Sequence, residues 1–356
     1  MLSLNDREWK DFLIKDVFPS VERGKRLKTE DHIDGDIPYV SSTADNNGVD
    51  AYIGNEKRIR IFSDCISIAN SGSVGSSFYE PFDYIASDHV THLKRDGMTE
   101  NQYLAASVSS SMLSEKYDFN REINDYRISR EHILLPVTDN GEPDYEFMEQ
   151  YVKQVKDKKI GDVTSFIQNE LSKIKYKDIP ALEEKNWNEF EIKDIFQTFF
   201  NKKGELQVPT GANVNKVNLH EGLTPRITVT AENNGVFGHY DSTDKNYRIY
   251  SNIVSVSFLG GVFYHPYDVS LDMKVHALIP LDFEWNTWLA EFFIDMILNN
   301  SKNSDYGNQL SATDLPHKRI LLPINDNGKP DREFMEQYVK NIMIRKYEDY
   351  LDFVES

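Results

Sequence analysis

The chain has 356 residues, 40 Lys+Arg against 58 Asp+Glu, and a formal charge of −18 at neutral pH. That length is about twice a usual domain, and the acid excess argues against a nonspecific polyanion binder or an anionic-membrane adhesin. A single cysteine, Cys65, excludes a disulfide framework and a multi-cysteine zinc site, and suits a reducing cytoplasm.

No apolar run approaches the ~18 residues that would suggest a membrane span, and the first residues show no secretory pattern. In chain order, the opening Trp9-Lys-Asp-Phe12-Leu-Ile14-Lys-Asp16-Val-Phe18 is followed by a basic segment with Arg23, Lys25, Arg26 and Lys28. Asn47-Gly48 is a favoured hairpin dipeptide, and Arg60 to Ala69 alternates as a strand does. A helical stretch is expected over 101–114. Then Asn140-Gly-Glu-Pro143-Asp144 sets a turn, a proline and an aspartate N-cap ahead of Glu146. Phe147, Met148, Tyr151, Val152 and Val155 recur at helical spacing, and the stripe resumes at Ile160, Val163, Ile167, Leu171 and Ile174, with Gly161 as a kink point.

The chain is then written again. Residues 132–155 and 319–342 are identical at 17 of 24 aligned positions, at an offset of 187. The opening motif returns around Trp187, at an offset of 178, and Asn46-Asn47-Gly48-Val49 returns as Asn233-Asn234-Gly235-Val236, at 187. Phe78-Tyr79 returns as Phe263-Tyr264, at 185. The ends are near copies and the middles have diverged, as a shared scaffold presenting two surfaces would be. A second helical stretch is expected over 285–299, and a second capped helix carries Phe334, Met335, Tyr338, Val339 and Ile342. The reading is an α+β fold of two tandem repeats, each a globular α/β domain followed by a long helix. The two helices are expected to pair as an antiparallel coiled-coil spacer through Phe147, Met148, Tyr151, Val155, Phe334, Met335, Tyr338 and Ile342. Domain 1 is placed at 1–141, helix and linker at 142–186, domain 2 at 187–329 and the second helix at 330–356.

These residues carry a family resemblance. The doubled Trp-x-x-Phe-x-Ile-x-Asp-[Val/Ile]-Phe opening, Gly24-Lys25-Arg26-Leu27 and Ile37-Pro38-Tyr39-Val40-Ser41-Ser42 belong to it, as do the Asn-Asn-Gly-Val turns and Ser71-Gly72-Ser73-Val74-Gly75. Together they resemble the DNA specificity subunits of restriction–modification systems. The Ile-Leu-Leu-Pro and Gly-x-Pro-Asp-x-x-Phe-Met-Glu-x-Tyr block is similar to the type IIB, BcgI-like branch in particular, with type I subunits close by. The resemblance implies two target-recognition domains, each reading half of a bipartite gapped site on double-stranded DNA. It also implies paired helices that set the spacing and dock methyltransferase or fused restriction–methyltransferase subunits. The second copy departs from the pattern: Asn201-Lys-Lys-Gly204-Glu-Leu206 stands for the Gly-Lys-Arg-Leu segment, and Phe258-Leu-Gly260-Gly261 for the Ser-Gly-Ser-Val-Gly loop.

Phosphates are held by Lys and Arg, and base edges by amides and hydroxyls. The candidate contacts in the first copy are therefore Arg23, Lys25, Arg26, Lys28, Thr43, Asn46, Asn47, Lys57, Arg58, Arg60, Ser71 and Ser73. In the second copy they are Lys202, Lys203, Thr230, Asn233, Asn234, Lys245 and Arg248. Plainer readings stand beside them: Asn-Gly suits a turn by its backbone alone, and short basic runs are usually solvated. Gly72-Ser73-Val74-Gly75 lacks the spacing of a nucleophile elbow. His89 and His92 lack a third metal ligand nearby, so no metal is expected. Pro143-Asp144 lies about forty residues from Glu183-Glu184-Lys185, too far for a nuclease motif. Neither a methyltransferase signature nor a Walker sequence is present, so catalysis is expected in partner chains and no cofactor in this one. Segment charges of −8, −2, −5 and −3 leave no net-basic region, so DNA binding by the isolated chain is expected to be weak and salt-sensitive. They also leave an alternative, an acidic decoy or assembly factor that binds the partners without reading DNA.

Overall fold

The computed structural model describes residues 1–118, 120–301 and 310–355. They divide into two units, Met1–Val163 and Thr164–Ser356. The first unit begins with β1 (Trp9–Leu13), α1 (Ile14–Val17), β2 (Ser20–Arg23), β3 (Asp34–Val40), β4 (Val49–Ile53) and β5 (Ile61–Phe62). It continues with β6 (Cys65–Ala69), β7 (Ser77–Glu80), β8 (Tyr84–Ala86), β9 (Val90–Lys94), α2 (Glu100–Ser111), α3 (Asp125–Ile128) and β10 (His132–Pro136). The long α4 (Tyr145–Lys173) follows and crosses the division between the units.

Two four-stranded sheets, β2-β9-β6-β7 and β4-β3-β8-β5, face each other across Val40, Tyr84 and Ala86 of one and Cys65 and Val90 of the other. All of β6 is buried, because both its faces are covered. Alternation turns Ile66 and Ile68 into a second core with Ile14, Tyr103, Ala106 and Ile133 from α1, α2 and β10. Each such isoleucine contributes about 1.5–3 kcal/mol by its burial. The β1 strand pairs antiparallel with β10, Trp9 opposite Pro136 and Leu13 opposite His132. The beginning and end of the repeat thus form one small sheet, which explains why they were kept together while the middles changed.

The second unit runs β11 (Trp187–Glu191), α5 (Ile192–Ile195), β12 (Phe199–Phe200), β13 (Leu206–Gln207), β14 (His220–Ile227), β15 (Val236–Asp241) and β16 (Ile249–Tyr250). Next come β17 (Ile253–Ser257), β18 (Val262–His265), β19 (Val269–Leu271), β20 (Val275–Leu278), α6 (Thr287–Ser301), β21 (Arg319–Pro323) and α7 (Arg332–Glu355). The sheets β15-β14-β19-β16, β18-β17-β20 and β11-β21 repeat those of the first unit with one change. No counterpart of β2 lies beside β20. A hairpin, β12–β13, is inserted instead, and Pro209 then accepts a bond from Ala277 N while Thr210 bridges to His276. This insertion is what raises the repeat offset from 178 to 187.

Both long helices start as expected. Phe147 N donates to Asp144 Oδ1 at 2.9 Å, and Phe334 N to Asp331 Oδ1 at 3.2 Å. A cation ahead of each first strand locks the other carboxylate oxygen: Arg7 at 2.8 Å from Asp144 and Lys185 at 2.7 Å from Asp331. The two helix starts therefore share one clamp. Helix α4 continues without a break through Gly161, where the sequence suggested a kink. The stripe at the helix starts is also used differently from expectation. Met148 and Met335 lie in the cores of their own units, because the first turns pack back onto the globular part. Tyr338 likewise packs against the core of the second unit. Phe147 stacks on Tyr151, and Phe334 on Tyr338. Val155 is 39% exposed and Ile342 half-buried. Beyond α4, Asn341 exchanges two hydrogen bonds with the backbone of Lys177, and Gln337 donates to Lys175 O.

Candidate nucleic-acid interface

The Asn-Asn-Gly segments form matching turns, though not two-residue hairpins. Val40 pairs with Val49 and Ile227 with Val236, so the loops are 41–48 and 228–235. In each, three successive residues are left-handed: Asn46, Asn47 and Gly48, then Asn233, Asn234 and Gly235. Asparagine tolerates that region far better than most residues, which accounts for the repeated pair. The Asn46 and Asn233 amides donate to Val49 O and Val236 O, and Thr43 and Thr230 hydroxyls accept from Asp45 N and Glu232 N. Asn46, Asn47, Asn233 and Asn234 remain exposed at the loop tips.

Gly24 N donates to Val90 O and Lys25 N to Ala86 O, which lays the basic segment against the ends of β8 and β9. A Cβ on Gly24 would lie 2.1 Å from Ser87 O and 2.4 Å from Ala86 O, so only glycine permits the approach. In the second unit the same bonds are made by Gly211 N to Val275 O and Ala212 N to Leu271 O, with a Cβ on Gly211 at 2.2–2.3 Å from two carbonyls. The counterpart of Gly24 is therefore Gly211, a correction of the alignment with Asn201–Leu206. Lys202 and Lys203 sit instead in the exposed turn of the inserted hairpin. Ala212 and Asn213 stand where the first unit has Lys25 and Arg26.

Two predicted contacts turn out to be matched supports. Arg60 donates to Arg23 O, and Arg248 to Thr210 O, each the carbonyl just ahead of the glycine. Arg23 itself lies 3.4 Å from Asp125 and donates to Ile123 O. Lys28 pairs with Glu30 at 2.8 Å, leaving Lys25 and Arg26 as the exposed cations of that segment. Lys57, Arg58 and Lys245 are exposed but lie past the far ends of β4 and β15, away from the asparagine turns.

What the tertiary structure gathers is a cluster of loops at one end of the paired sheets. Ser87 N donates to Val40 O, Ser73 N to Ser42 O, Asn70 N to His89 O and Ile123 N to Asn70 O. Thr43, Asn46, Asn47, Ser71 and Ser73 thus share one surface with Lys25 and with His89. The second unit repeats the frame: Asp272 N donates to Ile227 O, Phe258 N to Lys274 O and Leu310 N to Phe258 O. Sequence reasoning missed His89, Lys274 and the 116–131 loop, whose Arg121 and Arg130 lie over Tyr117 and Tyr126. Alternating basic and aromatic residues were the available signal for that loop. His92, the other histidine of the pair, is a core residue stacked on Phe62 at 4.0 Å and bonded to Ser20. Among the described residues no group of three His, Cys, Asp or Glu is placed to hold a metal ion.

Beneath each cluster lies one buried polar pair, and its chemistry differs between units. Ser67 donates to Glu80 at 2.8 Å in the first; Ser255 meets His265 Nε2 at 2.8 Å in the second. Glu80 faces Cys65 across β6–β7 as His265 faces Ile253 across β17–β18. Burial pushes the Glu80 carboxyl up to about 7 and the His265 imidazole down to about 4, so both are held uncharged. Glu80 Oε2 and His265 Nδ1 are buried without a hydrogen-bond partner.

Known proteins share this arrangement. The model of the type I restriction modification DNA specificity domain matches residues 6–165 and again 184–349. The specificity subunit S.BcgI of a type II restriction enzyme from Heyndrickxia coagulans is 27% identical over 342 residues, covering 93% of this chain and 94% of its own. The S subunit of a type I restriction–modification system from M. genitalium covers 99% of this chain and 94% of its own at a TM-score of 0.55 and 14% identity, a likeness of fold. With both repeats matched, the chain belongs to the type I restriction modification DNA specificity family, as a two-domain sequence-specificity component rather than a catalyst.

Proposed function

We propose that the chain reads a bipartite, gapped site on double-stranded DNA, one half with each unit, and directs methyltransferase or fused restriction–methyltransferase subunits to it. The observation that carries this is the doubled loop cluster, one backbone frame presenting different side chains in the two units. Two unlike readers on one scaffold give an asymmetric target, and their separation sets the gap. The functional boundaries are drawn at 1–141 and 187–329 for the readers, with 142–186 and 330–356 as spacers. Antiparallel pairing of α4 with α7 is supported inside the second unit. There, Lys175 and Lys177 bond Gln337 and Asn341, while the earlier Glu170 acts on the later Tyr347. Val155, Ile160, Val163 and Phe166 remain exposed on α4 and suit partner subunits.

No helix among the described residues is long and apolar enough to cross a membrane. A DNA-directed complex of this kind works in the cytoplasm. Selection from randomised duplexes by the chain with a methyltransferase subunit is expected to return a two-part motif with a fixed gap. A complex with no sequence preference defeats the proposal. Replacing residues 1–141 by another family member's first domain is expected to change one half of the motif. Altered gap length or change in both halves counts against independent readers.

A further inference from the structure

We infer that His89 and Lys274 are equivalent specificity-determining residues, each donating hydrogen bonds to base edges in its unit's half-site; this rests on the specificity reading above. Their equivalence is set by backbone, not by sequence. His89 O accepts from Asn70 N, and Asn70 O accepts from Ile123 N; Lys274 O accepts from Phe258 N, and Phe258 O from Leu310 N. Next along each strand, Thr91 bonds Asn70, and His276 bonds Leu310 O. The same frame therefore presents an imidazole in one unit and an ammonium in the other, in the part of the repeat that has diverged most.

Both side chains are exposed and oriented. The His89 side chain is 54% exposed, with Nδ1 at 2.7 Å from Ser71 Oγ. Asp88 Oδ1 lies 3.9 Å from Nε2, and its charge favours the tautomer with the proton on Nε2 and Nδ1 accepting from Ser71. His89 thus offers a single directed donor, suited to purine N7, guanine O6 or thymine O4. The Lys274 ammonium lies over the Phe258 ring at 4.1 Å and offers three donors, suited to the paired N7 and O6 acceptors of guanine. Each sits in the loop cluster that carries an asparagine turn, and His89 also shares that end with Lys25.

The test uses the full chain in complex with methyltransferase subunits and selection from randomised duplexes. His89→Ala is expected to relax base preference at one or two adjacent positions of one half-site by about ten- to a hundredfold, leaving the other half intact. Lys274→Ala is expected to do the same in the opposite half. The exchanges His89→Lys and Lys274→His keep a polar side chain and are expected to alter the preferred base at those same positions. Ser71→Ala, which frees the imidazole, gives a smaller relaxation at the His89 positions. An unchanged motif in the alanine variants overturns the inference. So does a uniform loss of affinity with a shallower salt dependence, the mark of a phosphate contact. A wild-type complex with no motif overturns the specificity reading, and this inference with it.

Discussion

The two units share a backbone frame down to individual loop hydrogen bonds, yet satisfy it with different side chains. In the first, the segment after Gly24 is held by the Tyr39 hydroxyl on Leu27 O at 3.3 Å. In the second, Arg226 takes the place of Tyr39, with its guanidinium 3.0 Å from Ala212 O and bonded also to Ser270, Leu271 O and Asp272. A cation exposed beside the loops in the first unit has no equivalent there in the second, whose arginine is buried as a brace. Backbone geometry is what the duplication preserved; charge placement was free to move.

The strongest way to break this comparison is at the glycines. Gly24→Ala and Gly211→Ala each force a Cβ into backbone carbonyls and are expected to cost about 3 kcal/mol or more in urea unfolding. If either is tolerated within about 1 kcal/mol, the two are not equivalent close approaches. The braces should then differ. Arg226→Met leaves buried carbonyls unsatisfied and is expected to cost about 3 kcal/mol, against about 1 kcal/mol for Tyr39→Phe. Equal costs would sink the view that the second unit depends on a buried cation.

The buried pairs predict opposite pH slopes. Glu80 has a folded pKa raised to about 7 from 4.5, so its contribution is complete below pH 4.5 and is lost as pH rises through 7. His265, lowered to about 4 from 6.5, contributes fully above pH 6.5 and is lost as pH falls through 4. Relative to wild type, Glu80→Gln should gain on the order of 2 kcal/mol between pH 5 and 7.5. His265→Gln should gain a similar amount as pH falls from 7 to 4.5. Urea unfolding of the full chain across that range checks both, and parallel slopes would refute the assignment. The smallest effect tests what the units have in common: Asp144→Ala and Asp331→Ala should each cost about 1–2 kcal/mol, and by similar amounts, as paired N-caps.

Much of this was legible in the sequence. The repeat, the α+β class, the helix starts at Asp144 and Asp331 and the asparagine turns follow from local rules: cap chemistry, left-handed tolerance and periodicity act within a few residues. The candidate site was legible in part. Asn46, Asn47, Asn233 and Asn234 do lie on exposed loop tips, but Arg60 and Arg248 serve the backbone, and Lys202 and Lys203 fall in an inserted hairpin. Likewise Met148 and Met335 fit a helical stripe, and only packing decides that the stripe's first turn faces its own unit.

By itself the sequence determined that one scaffold was built twice and what chemistry each copy had available. Only the tertiary structure decided which residues correspond. Gly24 matches Gly211 rather than Gly204, and His89 matches Lys274, because these positions are defined by hydrogen bonds between strands distant in sequence. An insertion shifts such a register without leaving any local mark. The acid excess that met the reader first is likewise a sum over the whole surface, whereas reading DNA depends on the few donors that the folded loops bring to one end.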